Sequence, residues 1–153
     1  MTLSFRRDDL SGAEIRALID LHLVEMRACS PACSVHAMPV ERLREEDVTF
    51  WSAWEGDQLA GCGALKAIDR DHCEVKSMRT APDFLQRAIG ERMLLHLMEE
   101  ARGRGYTRVS LKTGRSPPFA AAQALYAKHE FTPCGPFGDY DDEPFSLFMT
   151  RRL

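Results

Sequence analysis

The chain has 153 residues, 44% hydrophobic and 28% charged, with a formal net charge of −3. That length fits a single domain over residues 1–153 and can bury about 68–70% of its unfolded surface in one core. Lys and Arg are scattered, which leaves no footprint for nucleic acid, and no apolar run approaches the ~20 residues of a membrane helix.

The first residues, Met1 to Arg7, carry no apolar stretch of signal-peptide kind, so the expected location is cytoplasmic. After an opening strand, Ser11 and Glu14 stand at capping-box spacing. Ile15, Leu18, Ile19, Leu23 and Met26 then keep helical period up to the Ser30-Pro31 break. A polar loop from Ala28 to Met38 leads to a second short helix over Val40 to Glu46, with Pro39 at its first turn.

From Thr49 the period changes. Thr49–Glu55 reads as a strand, Gly56-Asp57 as a hairpin turn, and Gln58–Ile68 as the returning strand. A turn at Asp69-Arg70-Asp71 opens a third strand, His72–Thr80. Strict alternation puts Cys73, Val75 and Ser77 on one face and Glu74, Lys76 and Met78 on the other. Gln86–Arg102 has the strongest helical pattern, with Ile89, Met93, Leu94, Leu97, Met98 and Ala101 in one stripe and Gly103 and Gly105 at its end. A strand at Arg108–Lys112, a helix at Phe119–His129, a strand opening at Phe131 and a last strand at Ser146–Arg151 complete the order. The Gly/Pro-rich, acidic stretch from Gly135 to Pro144, with Asp139 and Tyr140, reads as a solvated surface loop. The order β-α-α-β-β-β-α-β-α-β-β implies an α/β protein with a mixed sheet.

Five cysteines, Cys29, Cys33, Cys62, Cys73 and Cys134, include no second pair at ligand spacing, so reduced structural thiols are expected and no metal site. The sharpest chemical signal follows the His72–Thr80 strand. At a helix start, backbone N–H groups lack intrahelical acceptors and the helix dipole adds positive potential, so a diphosphate can bind there if small residues let it approach. Ala88 and Gly90 are small at that spacing, and Arg87 adds a charge.

Here the chain resembles the GNAT N-acetyltransferase superfamily, whose phosphate turn reads Q/R-x-x-G-x-G/A. Leu85 takes the first position, in place of a polar residue, Ala88 the fourth, in place of glycine, and Gly90 the sixth. An alanine fits the fourth position if that residue is helical. The strand Glu74 to Arg79, the helix end Glu99 to Tyr106 and the segment Ala124 to Phe131 resemble the family in order and spacing. The stretches Ser34 to Ala37 and Cys134 to Tyr140 resemble its small stand-alone bacterial members. The resemblance runs from about Ser4 to the C-terminus.

The resemblance implies a central mixed sheet of six to seven strands flanked by about four helices, with two parallel central strands splayed into a V. It implies acetyl-CoA as co-substrate, without metal. The pyrophosphate would lie on the backbone of Gln86, Arg87, Ala88, Ile89, Gly90 and Glu91. The pantetheine would lie along Met78, Arg79 and Thr80, flanked by Phe119. Met78 reads equally as a core methionine, since the implied contact uses only backbone. Glu74 matches an acidic position of the family and is the expected base, acting directly or through water. Tyr126 is the expected acid on the departing thiolate, with a core aromatic as the alternative. His36 is a second choice of base or a substrate contact, and Thr113 and Ser116 border the donor or the acceptor. For Asp139 and Tyr140 the alternative to a solvated loop is that they shape the acceptor mouth. His22, His72, His96 and His129 receive no role. No cysteine sits where a covalent nucleophile is expected, so direct transfer in a ternary complex follows.

The expected acceptor is a primary amine on a small or amino-acid-like molecule. A protein or peptide acceptor and a non-catalytic acyl-CoA-binding module are the alternatives. A homodimer is expected through the C-terminal strands, where Phe145, Leu147 and Phe148 offer an apolar edge.

Overall fold

The structure, a computed structural model, describes residues 2–30 and 37–153. Strand β1 (Ser4–Arg7) leads to helix α1 (Ala13–Cys29), a short helix α2 (Val40–Leu43) and three strands, β2 (Val48–Glu55), β3 (Gln58–Ala67) and β4 (His72–Thr80). Helix α3 (Ile89–Gly103), strand β5 (Arg108–Gly114), helix α4 (Ala120–Lys128) and strands β6 (Thr132–Cys134) and β7 (Ser146–Arg152) follow. The strands form one sheet in the order β1-β2-β3-β4-β5-β7-β6, antiparallel at every pairing except β4 with β5.

The sheet divides two apolar clusters. On one side Ile15, Ile19 and Leu43 from α1 and α2 pack against Phe50, Cys62 and Ala64. On the other, Met93, Leu94, Leu97 and Met98 of α3 cover Trp51, Leu65, Val75 and Val109. All six positions of the α3 stripe are buried, at roughly 1.5–3 kcal/mol for each large side chain, which outweighs any propensity difference along the helix. Gly63 permits this close approach. A Cβ there would lie 2.8 Å from Met93 Cγ.

Several boundaries differ from the sequence reading, each for a local reason. Helix α1 is capped by Gly12, not Ser11. The Ser11 hydroxyl is turned to Asp9, donating to its Oδ1 at 2.6 Å, and accepts from no helix amide among the described residues. Helix α2 stops at Leu43, short of Glu46. Arg42 forms a two-pronged contact to Asp47 at 2.7 and 2.9 Å, which turns the chain into β2. Helix α3 begins at Ile89, not Gln86, because Gln86 and Ala88 both adopt left-handed backbone, with φ of +64° and +60°. The fourth position of the phosphate turn is therefore left-handed, not helical, and an alanine there is strained where glycine would not be.

The alternation on β4 also breaks. Ser77 has φ +55°, and the β3–β4 register shifts opposite Cys62 and Ala64, which marks a bulge. Beyond it Met78 packs into the α3-side cluster with Cys73 and Val75, not on the face of Glu74 and Lys76. The apolar edge invoked for a dimer also turns inward. Phe148 is buried against Phe137 and Tyr140, Phe145 meets Phe119, Leu147 packs into the α3-side cluster, and β7 is paired on both sides.

Candidate active site

Strands β4 and β5 pair only at His72 with Arg108, Cys73 with Val109 and Glu74 with Ser110. After Glu74 they separate. β4 continues against β3 to Thr80, and β5 continues against β7 to Gly114. The wedge between them is a cavity of about 170 Å³ lined by Glu74, Ser77, Met78, Thr113, Phe119 and Tyr126, among others. The Phe119 ring lies so close over Gly114 that a Cβ on the glycine would fall 2.4 Å from the ring, so only glycine fits this part of the wall.

Glu74 sits at the apex of the wedge and is 1% exposed. Its Oε2 accepts a hydrogen bond of 2.6 Å from the Tyr140 hydroxyl, and that hydroxyl accepts one of 2.6 Å from Lys76 Nζ. Its Oε1 is buried without a partner among the described residues. Burial lowers the Lys76 pKa, and the nearby Glu74 opposes that effect. Burial, followed by the Glu74 charge, raises the Tyr140 pKa. Lys112 lies across the Tyr140 ring, 6.0 Å from its centroid, and burial lowers its pKa too, with the Lys76 charge adding to the effect. Tyr140 therefore serves as the hub of a buried polar chain, where the sequence pattern implied a solvated loop. The composition of that loop hid it, because Phe148 of β7 and the Glu74 and Lys76 side chains of β4, which enclose Tyr140, are brought up by the tertiary fold.

A second cavity of about 290 Å³ is lined by Arg42, Lys66, Glu74, Lys76, Asp139 and Tyr140, among others. Glu74, Lys76 and Tyr140 thus line both cavities.

Tyr126 faces the first cavity from α4, and burial pushes its phenol up to about 12, which keeps it protonated at neutral pH. Its hydroxyl has no hydrogen-bond partner among the described residues. His22 also lines this cavity. Burial, assisted by the charges of Arg79 and Lys76, holds its pKa down at about 4. Thr113 lines the same cavity, whereas Ser116 lines neither and stands instead at the N-cap of the Pro117–Phe119 turn. His36 lies outside the described residues.

At the far end of β4, Gln86, Arg87 and Ala88 are exposed, and the amides of Ile89, Gly90 and Glu91 stand in the first helical turn, where the helix supplies no acceptors. A Cβ on Gly90 would meet nothing nearer than Leu125 Cδ2 and Thr80 Oγ1 at 3.9 Å, so the turn is open to an approaching anion. The Glu91 carboxylate is held away by Lys128 and His129 at 2.7 and 2.8 Å. Arg87 lies 3.9 Å from Glu55, and Arg79 is paired with Glu25. These features fit an elongated ligand with phosphates on the turn and a chain in the wedge.

Among the described residues no group of His, Cys, Asp and Glu could hold a metal ion. No described cysteine lines either cavity, and burial pushes the thiols of Cys62 and Cys73 up to about 12.

Residues 15–131 match the acetyltransferase (GNAT) family. The chain is 49% identical over 146 residues to the uncharacterized N-acetyltransferase YsnE of Bacillus subtilis (strain 168), covering 95% of this chain and 97% of that protein. It is 45% identical over 150 residues to the uncharacterized N-acetyltransferase YedL of Escherichia coli (strain K12), covering 98% and 94%. A Bacillus subtilis acetyltransferase solved in complex with CoA has the same fold, with a TM-score of 0.75 at 19% identity over 99% of both chains. The chain therefore belongs to the GNAT acetyltransferase family and is an acetyl-CoA-dependent N-acyltransferase.

Proposed function

We propose that the protein moves an acetyl group from acetyl-CoA to the primary amine of a small or amino-acid-like acceptor, by direct transfer in a ternary complex. The observation that carries this reading is Glu74, a buried carboxylate that lines both cavities and has one oxygen without a partner among the described residues. One cavity suits the thioester arm and the other the acceptor. Buried carboxylates need partners, so an unpartnered oxygen in a cleft suits a group that arrives with N–H donors.

In this reading Glu74 takes a proton from the acceptor ammonium, directly or through a water. The freed amine nitrogen attacks the thioester carbonyl carbon, a C–N bond forms and the C–S bond breaks. The nitrogen gives its second proton to solvent to leave the neutral amide, while Glu74 returns its proton to solvent. The CoA sulfur takes the Tyr126 hydroxyl proton, and the phenolate is reprotonated from solvent. The backbone of Met78 and Thr80 flanks the pantetheine, and the turn from Gln86 to Glu91 holds the phosphates. The absence of described cysteines from both cavities favours direct transfer over a covalent acetyl-enzyme.

The test is steady-state kinetics over an amine panel, reading CoA release. Intersecting double-reciprocal lines are expected, and parallel lines or an acetylated cysteine would sink the direct mechanism. Glu74→Gln should lower kcat by about 10²–10⁴-fold with acetyl-CoA affinity retained. Unchanged kcat in that variant would remove Glu74 as the base.

A further inference from the structure

The second cavity carries a charge pattern that the transfer chemistry does not need. Of its cations, Arg42 spends both terminal nitrogens on the Asp47 carboxylate, at 2.7 and 2.9 Å. Lys76 is tied to Tyr140 at 2.6 Å and lies 3.6 Å from Glu74. Lys66 is different. It stands on β3 directly across from Glu74 in the antiparallel register, so the two side chains share a face of the sheet. It nevertheless forms no ion pair or hydrogen bond with any described residue. Its charge is felt at Lys76, where it adds to the lowering of that ammonium's pKa, and at Asp47. Asp139, which lines the same cavity, is exposed and makes no ion pair among the described residues. The cavity lining therefore brings together Lys66, a cation without an ion pair among the described residues, Glu74, whose Oε1 is buried without a partner among them, and the exposed Asp139.

Two like-charged ammonium groups facing one cavity repel, and an anion between them would relieve that repulsion. A cationic acceptor amine would be drawn to the opposite feature, Glu74 Oε1. An acceptor with both charges satisfies both sets of groups. We propose that the second cavity is the acceptor site, that its ligand is an α-amino acid, and that Lys66 selects it by binding the α-carboxylate while Glu74 receives the amine. Lys66 is thus a specificity-determining residue and takes no part in proton transfer. This inference rests on the acetyl-transfer reading of Glu74 and adds the class of acceptor to it.

The test measures CoA release at saturating acetyl-CoA for the standard α-amino acids, each paired with its carboxamide, using the full chain and the variants Lys66→Gln and Lys66→Arg. An amide amine is less basic than its parent amine, so the diagnostic is how the acid-to-amide ratio of kcat/KM changes between proteins. For at least one amino acid, Lys66→Gln should lower that ratio about tenfold or more, through KM of the acid, with the amide unaffected. Lys66→Arg should keep the ratio within about threefold, because it keeps the charge. Turnover of amines with a ratio that Lys66→Gln does not move would overturn the carboxylate site and leave acetyl transfer standing. No CoA release from any amine, with acetyl-CoA binding intact, would overturn both readings.

Discussion

Tyr126 and His22 face the same cavity, and burial acts on them in opposite ways. The phenol loses solvation of its anion, so its pKa rises to about 12 and it stays protonated at neutral pH. Tyr126→Phe keeps the ring against Phe131, 5.9 Å between centroids, and removes only the hydroxyl. It should lower kcat by about 10²-fold with acetyl-CoA binding nearly unchanged. An unaltered kcat would take Tyr126 out of the acid role. The imidazole loses solvation of its cation, so His22 is neutral in the fold. Its folded pKa of about 4 lies below the ordinary 6.5, and the unfolded chain therefore binds the extra proton first. The corresponding stability is complete above pH 6.5 and is lost as pH falls toward 4, up to roughly 3 kcal/mol. Urea unfolding of the wild type and of His22→Leu across that window should give a shallower pH slope in the variant. Parallel slopes would show that His22 is not the titrating group.

The turn before α3 is the element in which sequence motif and backbone conformation pull apart. Ala88 holds φ +60° at the position where the family pattern has glycine. Left-handed backbone costs a non-glycine residue about 1–2 kcal/mol, whereas the greater freedom of glycine in the unfolded chain costs about 0.4–1 kcal/mol. The first effect is the larger, so Ala88→Gly should raise stability by up to about 1 kcal/mol in equilibrium urea unfolding. A loss of stability would mean that the turn depends on the alanine methyl. The bulge at Ser77 has a different consequence. It ends the regular alternation of β4 just past Lys76, so that Glu74 and Lys76 project toward Tyr140 while Met78 turns back under α3.

Over the whole molecule, the sheet is two halves that meet at only three residue pairs of β4 and β5. An acetyl-CoA molecule lying in the wedge would contact both halves and bind only the folded state. At about 100 times its Kd it should stabilise the fold by about 2.7 kcal/mol, which corresponds to a rise in Tm of about 5–10 °C for a chain of this length. Thermal unfolding with and without acetyl-CoA checks this, and an unchanged Tm would count against the wedge as the donor site.

The sequence by itself determined most of the element order, the α3 stripe, the position of Glu74 on a central strand and of Tyr126 on a late helix, and the small residues of the phosphate turn. These features are periodic or local: a helix face repeats every 3.6 residues, a strand face every two, and a turn is a matter of adjacent residues. Only the tertiary structure decided the remainder. The Ser77 bulge depends on pairing with β3, and the left-handed turn at Ala88 is set by the chain's path from β4 into α3. Tyr140 reaches Glu74 across 66 positions of sequence, and Lys66 faces the same cavity as Lys76 through strand register. Contacts between residues so far apart leave no period in the chain, because long-range pairing and burial, not local propensity, bring them together.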